Sequence, residues 1–157
     1  MPPSAVARLR KLCLALPETY EKEAWGEPTF RVTKGKIFAM HASAANHHGQ
    51  PAKGSIAEQF ANDKPARGRN AVWLLATFEN QQFMIAHDAR RFFSPPYVGT
   101  YGWVGVYLDG VCDWAELRVL LDDAWRMAAP KSLVKRVAAA TAAATPRAAS
   151  SKARRRP

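Results

Sequence analysis

The segment that most constrains the fold is a short apolar stretch followed by a tight turn and a capped helix. Residues 102–108 are glycine, aromatic and aliphatic residues typical of a buried strand, and Asp109-Gly110 is a turn pair. Asp113 and Glu116 then form an Asp-x-x-Glu capping arrangement at the start of a helix. That helix ends before Pro130 and carries one apolar stripe, made of Trp114, Leu117, Leu121, Ala124 and Ala128.

Weaker patterns predict the remaining elements. Helical periodicity appears at residues 4–16, 79–89 and 130–137. Two short strands are predicted at 29–33 and 36–40, around a Lys34-Gly35 turn, and a buried strand at 71–77. The acidic and aromatic passage at 18–28 shows no clear element, and residues 92–97 indicate a rigid loop.

Length and composition indicate one folded domain. The 157 residues are 48% hydrophobic, which is enough for a core without a disulfide or metal. We expect the domain to span residues 1–137, with a mobile insertion at about 42–70, because that stretch lacks apolar periodicity. Residues 138–157 have the alanine, proline, serine and arginine composition of a disordered basic tail.

The sequence predicts a cytoplasmic protein. No apolar run reaches the roughly 18 residues that span a bilayer, and the basic N-terminal segment is amphipathic rather than a signal peptide. Cys13 shares a helix face with Leu9 and Leu16, so we interpret it as a small core residue. With Cys112 as the other cysteine, no disulfide is expected.

Charge is the clearest functional signal. The formal net charge is +10, and five basic residues with no acidic residue lie in residues 138–157. The other 137 residues have 18 basic and 13 acidic side chains, so half of the excess lies in the tail. Such a field attracts polyanions through steering and counterion release.

Several motifs together resemble the MmcQ/YjbR family. They are Pro17-Glu18, Trp25-Gly26, Phe30-Arg31-Val32, Lys36-Ile37-Phe38-Ala39, Pro96-Tyr97-Val98, Gly102-Trp103-Val104-Gly105-Val106 and Asp113-Trp114. The resemblance implies a compact α+β single domain with an antiparallel sheet packed against helices, of the double-wing type. It also implies DNA binding, which is inferred for the family from its fold, and it supplies no catalytic residues.

The candidate contacts to DNA are basic side chains. A basic hairpin tip is suited to phosphate contact, and Arg31 should lie opposite the Phe30 face of its strand. The full set of candidates is Arg31, Lys34, Lys36, Arg67, Arg69, Arg90, Arg91, Lys152, Arg154, Arg155 and Arg156. We therefore expect a DNA-binding protein without enzymatic activity, which contacts the phosphate backbone through its surface and tail.

Other chemical readings of the sequence are weaker. His41 and His47-His48 match no zinc spacing and suggest a solvated loop, and Glu18, Glu21, Glu23 and Glu27 suggest a solvated acidic edge. His87-Asp88 and Ser94 lack a nucleophile elbow. Trp103, Trp114 and Trp125 favour core packing over base stacking, whereas Trp25 favours an edge. We predict no catalytic site, metal or cofactor.

A second hypothesis is a protein-interaction or small-ligand module without a nucleic-acid role. The acidic passage at 18–28 favours it, because that charge opposes a surface that faces DNA throughout. A deep apolar pocket lined by aromatic side chains would favour a ligand.

Overall fold

A computed structural model describes residues 4–43, 69–110 and 112–144. Four α-helices occur in these ranges: α1 (Ala5–Leu14), α2 (Phe78–His87), α3 (Trp114–Ala128) and α4 (Lys131–Ala144). The six strands are β1 (Thr19–Ala24), β2 (Glu27–Val32), β3 (Ile37–Ala42), β4 (Ala71–Leu74), β5 (Phe92–Phe93) and β6 (Val104–Tyr107). None of the described helices has both the length and the apolar character needed to cross a membrane.

The strands form one sheet in the order β1-β2-β3-β4-β6-β5, and every neighbouring pair is antiparallel. The predicted α+β class with an antiparallel sheet is therefore confirmed. Residues directly opposite one another point to the same face of a sheet. One such row crosses the whole sheet: Lys22, Thr29, Met40, Trp73, Gly105 and Phe93.

The main core lies between the helices and the other face of this sheet, which we call the helix face. The α3 stripe is buried as predicted except for Trp114, which is half-buried against the core. Asp113 caps the helix by accepting a 3.0 Å hydrogen bond from the Glu116 N–H. The indole Nε1 of Trp125 donates to the Pro17 carbonyl at 2.9 Å, which ties α3 to the segment between α1 and β1. Cys13 is fully buried in this core, as predicted, and burial raises the pKa of its thiol.

A smaller core lies on the opposite side of the sheet, beneath residues 94–103. We call this side the loop face. Met40, Trp73, Phe93 and Tyr107 are buried there, with Trp103 packed against them. The Phe93 and Tyr107 rings stack with centroids 4.7 Å apart.

Two strands were not predicted from the sequence. The passage assigned no element contains β1, a polar edge strand whose side chains lack the apolar alternation that identifies a half-buried strand. Residues 92–97 begin with the two-residue strand β5 before the loop starts. The hairpin around Lys34-Gly35 is confirmed, and its strands are longer than predicted.

The predicted tail begins too early, because α4 continues to Ala144 and residues 138–144 are therefore helical. Alanine is the best helix former, and this outweighs a composition that resembles disorder. Residues 145–157 lie outside the described part of the chain, as do 44–68 of the predicted insertion. At the insertion's ends, Ala42 belongs to β3, and Arg69 and Asn70 bond to Asp109.

Glu27 was predicted to lie on a solvated acidic edge and His41 in a solvated loop, and both predictions are wrong. Glu27 is 2% exposed and His41 is 6% exposed. One Glu27 carboxylate oxygen lies 3.1 Å from His41 Nδ1, and the other accepts a 2.8 Å hydrogen bond from the Ser43 N–H. A buried carboxylate needs such partners, so this group holds the end of β3 against the start of β2.

We predict that Glu27→Ala destabilises the protein by about 2–4 kcal/mol, because it leaves the imidazole and the Ser43 N–H without their acceptor. Urea unfolding measures the change. The matched control is Glu23→Ala, an exposed carboxylate on the neighbouring strand, which should stay within about 0.5 kcal/mol of wild type. Equal losses in both variants would contradict the structural role of Glu27.

Gly105 is required because the Phe93 ring occupies the space that a side chain at that position would need. A Cβ atom at residue 105 would overlap the Phe93 ring. Gly105→Ala should therefore destabilise the fold by about 1–3 kcal/mol through overpacking. A double-mutant cycle with Phe93→Leu tests the cause, because the smaller side chain should relieve much of the destabilisation that Gly105→Ala produces; strictly additive effects would contradict it.

Candidate binding surfaces

The basic residues predicted at the hairpin tip, Lys34 and Lys36, lie next to the C-terminal end of α3. Lys34 has φ +60° in the turn, and both Lys34 and Lys36 are exposed. The Lys36 backbone N–H donates to the Ala128 carbonyl at 3.1 Å. A Cβ atom at residue 35 would overlap the Ala128 carbonyl oxygen, so the turn lies close against the end of α3, next to the start of α4.

The beginning of α4 adds three cations to this region. Lys131, Lys135 and Arg136 lie in its first two turns and are exposed. We call these three residues, together with Lys34 and Lys36, the hairpin–α4 patch. No carboxylate of the described chain pairs with any member of the patch.

Arg91, another predicted DNA contact, is occupied by the protein itself. Its guanidinium pairs closely with Glu116 and lies 4.0 Å from Asp88. It also lies over the Phe92 ring, 4.8 Å from the centroid. These contacts link β5 to the first turn of α3, so Arg91 has a structural role.

Arg69 is similarly engaged. It donates to the Asp109 carbonyl at 2.6 Å and lies 4.2 Å from the centroid of the Tyr107 ring. The pair fastens the chain before β4 to the turn after β6. By contrast, Arg90 is exposed, and no contact of its side chain occurs within the described ranges.

The predicted basic residues therefore do not form a single patch. Arg91 contacts Glu116 near the start of α3, whereas Lys36 contacts Ala128 at its end. At 1.5 Å per residue the two ends are separated by about 18 Å. Arg67, Lys152, Arg154, Arg155 and Arg156 lie outside the described residues.

Arg31 occupies a third location, on the loop face of the sheet. It lies opposite Ile37 in the β2–β3 register, and on the face away from Phe30, as predicted. Its Nε donates to Thr29 Oγ1 at 3.1 Å, while that hydroxyl donates to the Lys22 carbonyl at 2.5 Å. Thr29 is the one hydrogen-bond partner that the described chain gives Arg31.

An apolar pocket opens beside Arg31 on the same face, with a volume of about 380 Å³. Four of the seven side chains that line it are aromatic. The lining residues are Trp25, Ile37, Met40, Trp73, Tyr97, Val98 and Trp103.

The wall formed by Tyr97, Val98 and Trp103 is anchored by α2. Gln81 is buried, and its amide nitrogen donates to the Gly99 carbonyl at 2.8 Å and to the Trp103 carbonyl at 2.5 Å. Gly102, at φ +97°, lets the loop pass against the backbone at Thr77 and Phe78. The fold therefore fixes the backbone of this wall of the pocket.

Sequence reasoning missed this pocket. Trp25 was predicted at an edge, which is correct since Trp25 is 66% exposed, and Trp103 was predicted in the core. The sequence did not indicate that both rings border one cavity. The described residues bring together no group of three or more histidine, cysteine, aspartate or glutamate side chains that could hold a metal.

Comparisons with known proteins agree with this fold. A structural neighbour is the Deinococcus radiodurans protein DR2400, a DUF419 domain, whose crystal structure matches with a TM-score of 0.56. The match covers 78% of this chain and 76% of that one at 18% identity, and so it shows a shared fold. No curated protein matches the sequence significantly. The YjbR family model matches residues 14–127, most of the chain, and the protein therefore belongs to the YjbR family.

Proposed function

We propose that the protein binds nucleic acid, with DNA as the expected partner. It contacts phosphates through the hairpin–α4 patch and the basic residues of the C-terminal segment. The observation that carries the proposal is the group of five exposed cations without carboxylate partners in the described chain, at one end of the domain. Unpaired cations remain available to replace the counterions of a phosphate backbone. The proposed role is binding in the cytoplasm, without a chemical step.

The order of charges along α4 supports this reading. The N-terminus of a helix carries partial positive charge, so cations there are unfavourable for helix stability. Yet all the cations of α4 lie in its first two turns, and its first turn contains no acidic residue. This arrangement strengthens the positive potential beside the hairpin, where a phosphate would benefit from both the cations and the helix dipole.

We expect the triple variant Lys34→Ala, Lys36→Ala, Lys131→Ala to weaken binding to duplex DNA and to flatten its salt dependence. If each lysine meets one phosphate, the slope of log K against log salt should fall by about 2 to 3. Fluorescence anisotropy with a labelled duplex at several salt concentrations measures the slope.

The matched control removes three exposed cations from elsewhere, by Arg8→Ala, Lys11→Ala and Arg118→Ala. It should change the slope by less than about 1. Equal losses in the two triple variants would show diffuse binding without a preferred patch. If the full-length wild type fails to bind at low salt, the proposed function is wrong.

The C-terminal segment is tested separately in the full-length chain. Substituting alanine for Arg147, Lys152, Arg154, Arg155 and Arg156 should lower the salt slope by about 4 to 5 if all five meet phosphate. An unchanged slope would confine the contacts to the folded domain.

A second candidate is binding of a small molecule, and the apolar aromatic pocket favours it. The acidic passage supports it only through Glu18 and Glu23, which are exposed. Glu21 is paired with Arg10 through hydrogen bonds of 2.7 and 3.1 Å, and Glu27 is buried. Glu21 and Glu23 also lie on the face of β1 opposite Lys22.

A further inference from the structure

We propose that the loop-face pocket binds an unpaired nucleobase, with the attached phosphate held by Arg31 and Lys22. The inference rests on the proposed function insofar as single-stranded nucleic acid supplies the base. A free nucleotide has the same chemistry, and the experiments below distinguish the two sources.

The lining of the pocket suits a flat aromatic ring. Tryptophan and tyrosine faces stack on any base, which gives affinity with little sequence preference. The indole rings of Trp25 and Trp103 and the phenol of Tyr97 are all at least partly exposed at the pocket, whereas Trp73 is buried in its floor. The volume of about 380 Å³ lies within the range of small-ligand sites.

The pairing of the strands places positive charge at the rim. Arg31 is directly opposite the lining residue Ile37, about 5 Å away across the β2–β3 pair. Lys22 lies in the same row as the lining residue Met40, two strands away or about 10 Å. The ligand therefore meets an apolar aromatic cavity with cations along one side, which matches a base joined to a phosphate.

The same charges argue against a cationic ligand. Aromatic cages for quaternary ammonium groups depend on the negative faces of the rings, and neighbouring cations oppose that attraction. No carboxylate contributes to the described lining. Glu27, near the start of β2, is buried and bonded to His41 and Ser43.

The backbone at Trp25 provides a second, independent observation. Trp25 and Gly26 form the two-residue turn between β1 and β2, with φ values of +54° and +76°. Such turns favour asparagine or aspartate followed by glycine, and a bulky aromatic residue in this conformation is strained. Strained residues concentrate at functional sites, and this one places a largely exposed indole on the pocket.

An unpaired base is required because a paired base is stacked within its duplex and is not available to enter a cavity. The protein should therefore prefer a single strand of about 12 nucleotides over the duplex of the same sequence and over an abasic strand of equal charge. The hairpin–α4 patch should contribute equally to the two single strands and more to the duplex, whose phosphates are more closely spaced.

Trp25→Asn is the sharpest variant, since it removes the ring while giving the turn a better residue. We expect unchanged or increased stability in urea unfolding, together with about 5- to 150-fold weaker binding of the single strand. Binding of the abasic strand should not change. The control Phe83→Ala removes an exposed ring on α2 that does not line the pocket, and it should leave all three affinities unchanged.

The outcomes separate the two proposals. Equal affinity for the single strand and the abasic strand, with no effect of Trp25→Asn, overturns the pocket inference and leaves the phosphate contacts intact. Failure to bind any of the three strands overturns the proposed function. In that case, binding of dAMP that Trp25→Asn abolishes would still support the base pocket and identify a free nucleotide as the ligand, and absence of dAMP binding would overturn both.

The phosphate part of the inference is tested with dAMP and deoxyadenosine. Wild type should bind dAMP about 3- to 10-fold more tightly, because the nucleotide adds charge-assisted contacts. Arg31→Gln should lower this ratio toward 1 without changing the affinity for deoxyadenosine, whereas the control Arg90→Gln should preserve the ratio. Equal binding of the two ligands by wild type would overturn the assigned role of Arg31 and Lys22.

Discussion

The structure depends on the burial of β3, β4 and β6 on both faces of the sheet. All four residues of β4 and of β6 are buried, as are five of the six residues of β3. The helices cover one face of the sheet, and residues 94–103 cover part of the loop face. The second layer stops short of β1 and β2, which leaves a boundary where the sheet changes from covered to exposed. The aromatic pocket lies at that boundary, so its position follows from the unequal cover.

The sequence predicted the elements whose periodicity arises from one continuous buried face. Helix α3 and strand β6 are of this kind, since their apolar residues recur at 3.6-residue spacing or form a short uninterrupted run. Strand β1 was missed because an edge strand with no buried residue carries no such pattern. Its existence depends on hydrogen bonds to β2, which are formed by the backbone and leave no signature in the side chains.

The candidate site was predicted less completely, for a different reason. The number of cations can be counted from the sequence, but whether each is free depends on tertiary contacts. Arg91 and Arg69 are occupied by Glu116 and Asp109, 25 and 40 positions away. The pocket is assembled from four strands or loops that are distant in sequence, so no local motif could have revealed it. Gln81, which fixes one of its walls, shows no distinguishing sequence context at all.

Two departures from local rules of protein stability in the described residues lie on the proposed surfaces. Cations crowd the N-terminal half of α4, where the helix dipole disfavours them, and a tryptophan occupies a turn position suited to asparagine. Sequences generally agree with their fold at every level, and departures concentrate where function requires a residue that stability alone would not choose. Each departure also costs the fold something that a simple substitution would recover. Replacing a residue that is kept only for folding lowers the stability of the protein. Replacing a residue that is kept for binding, as we propose for Trp25, raises stability and weakens ligand binding.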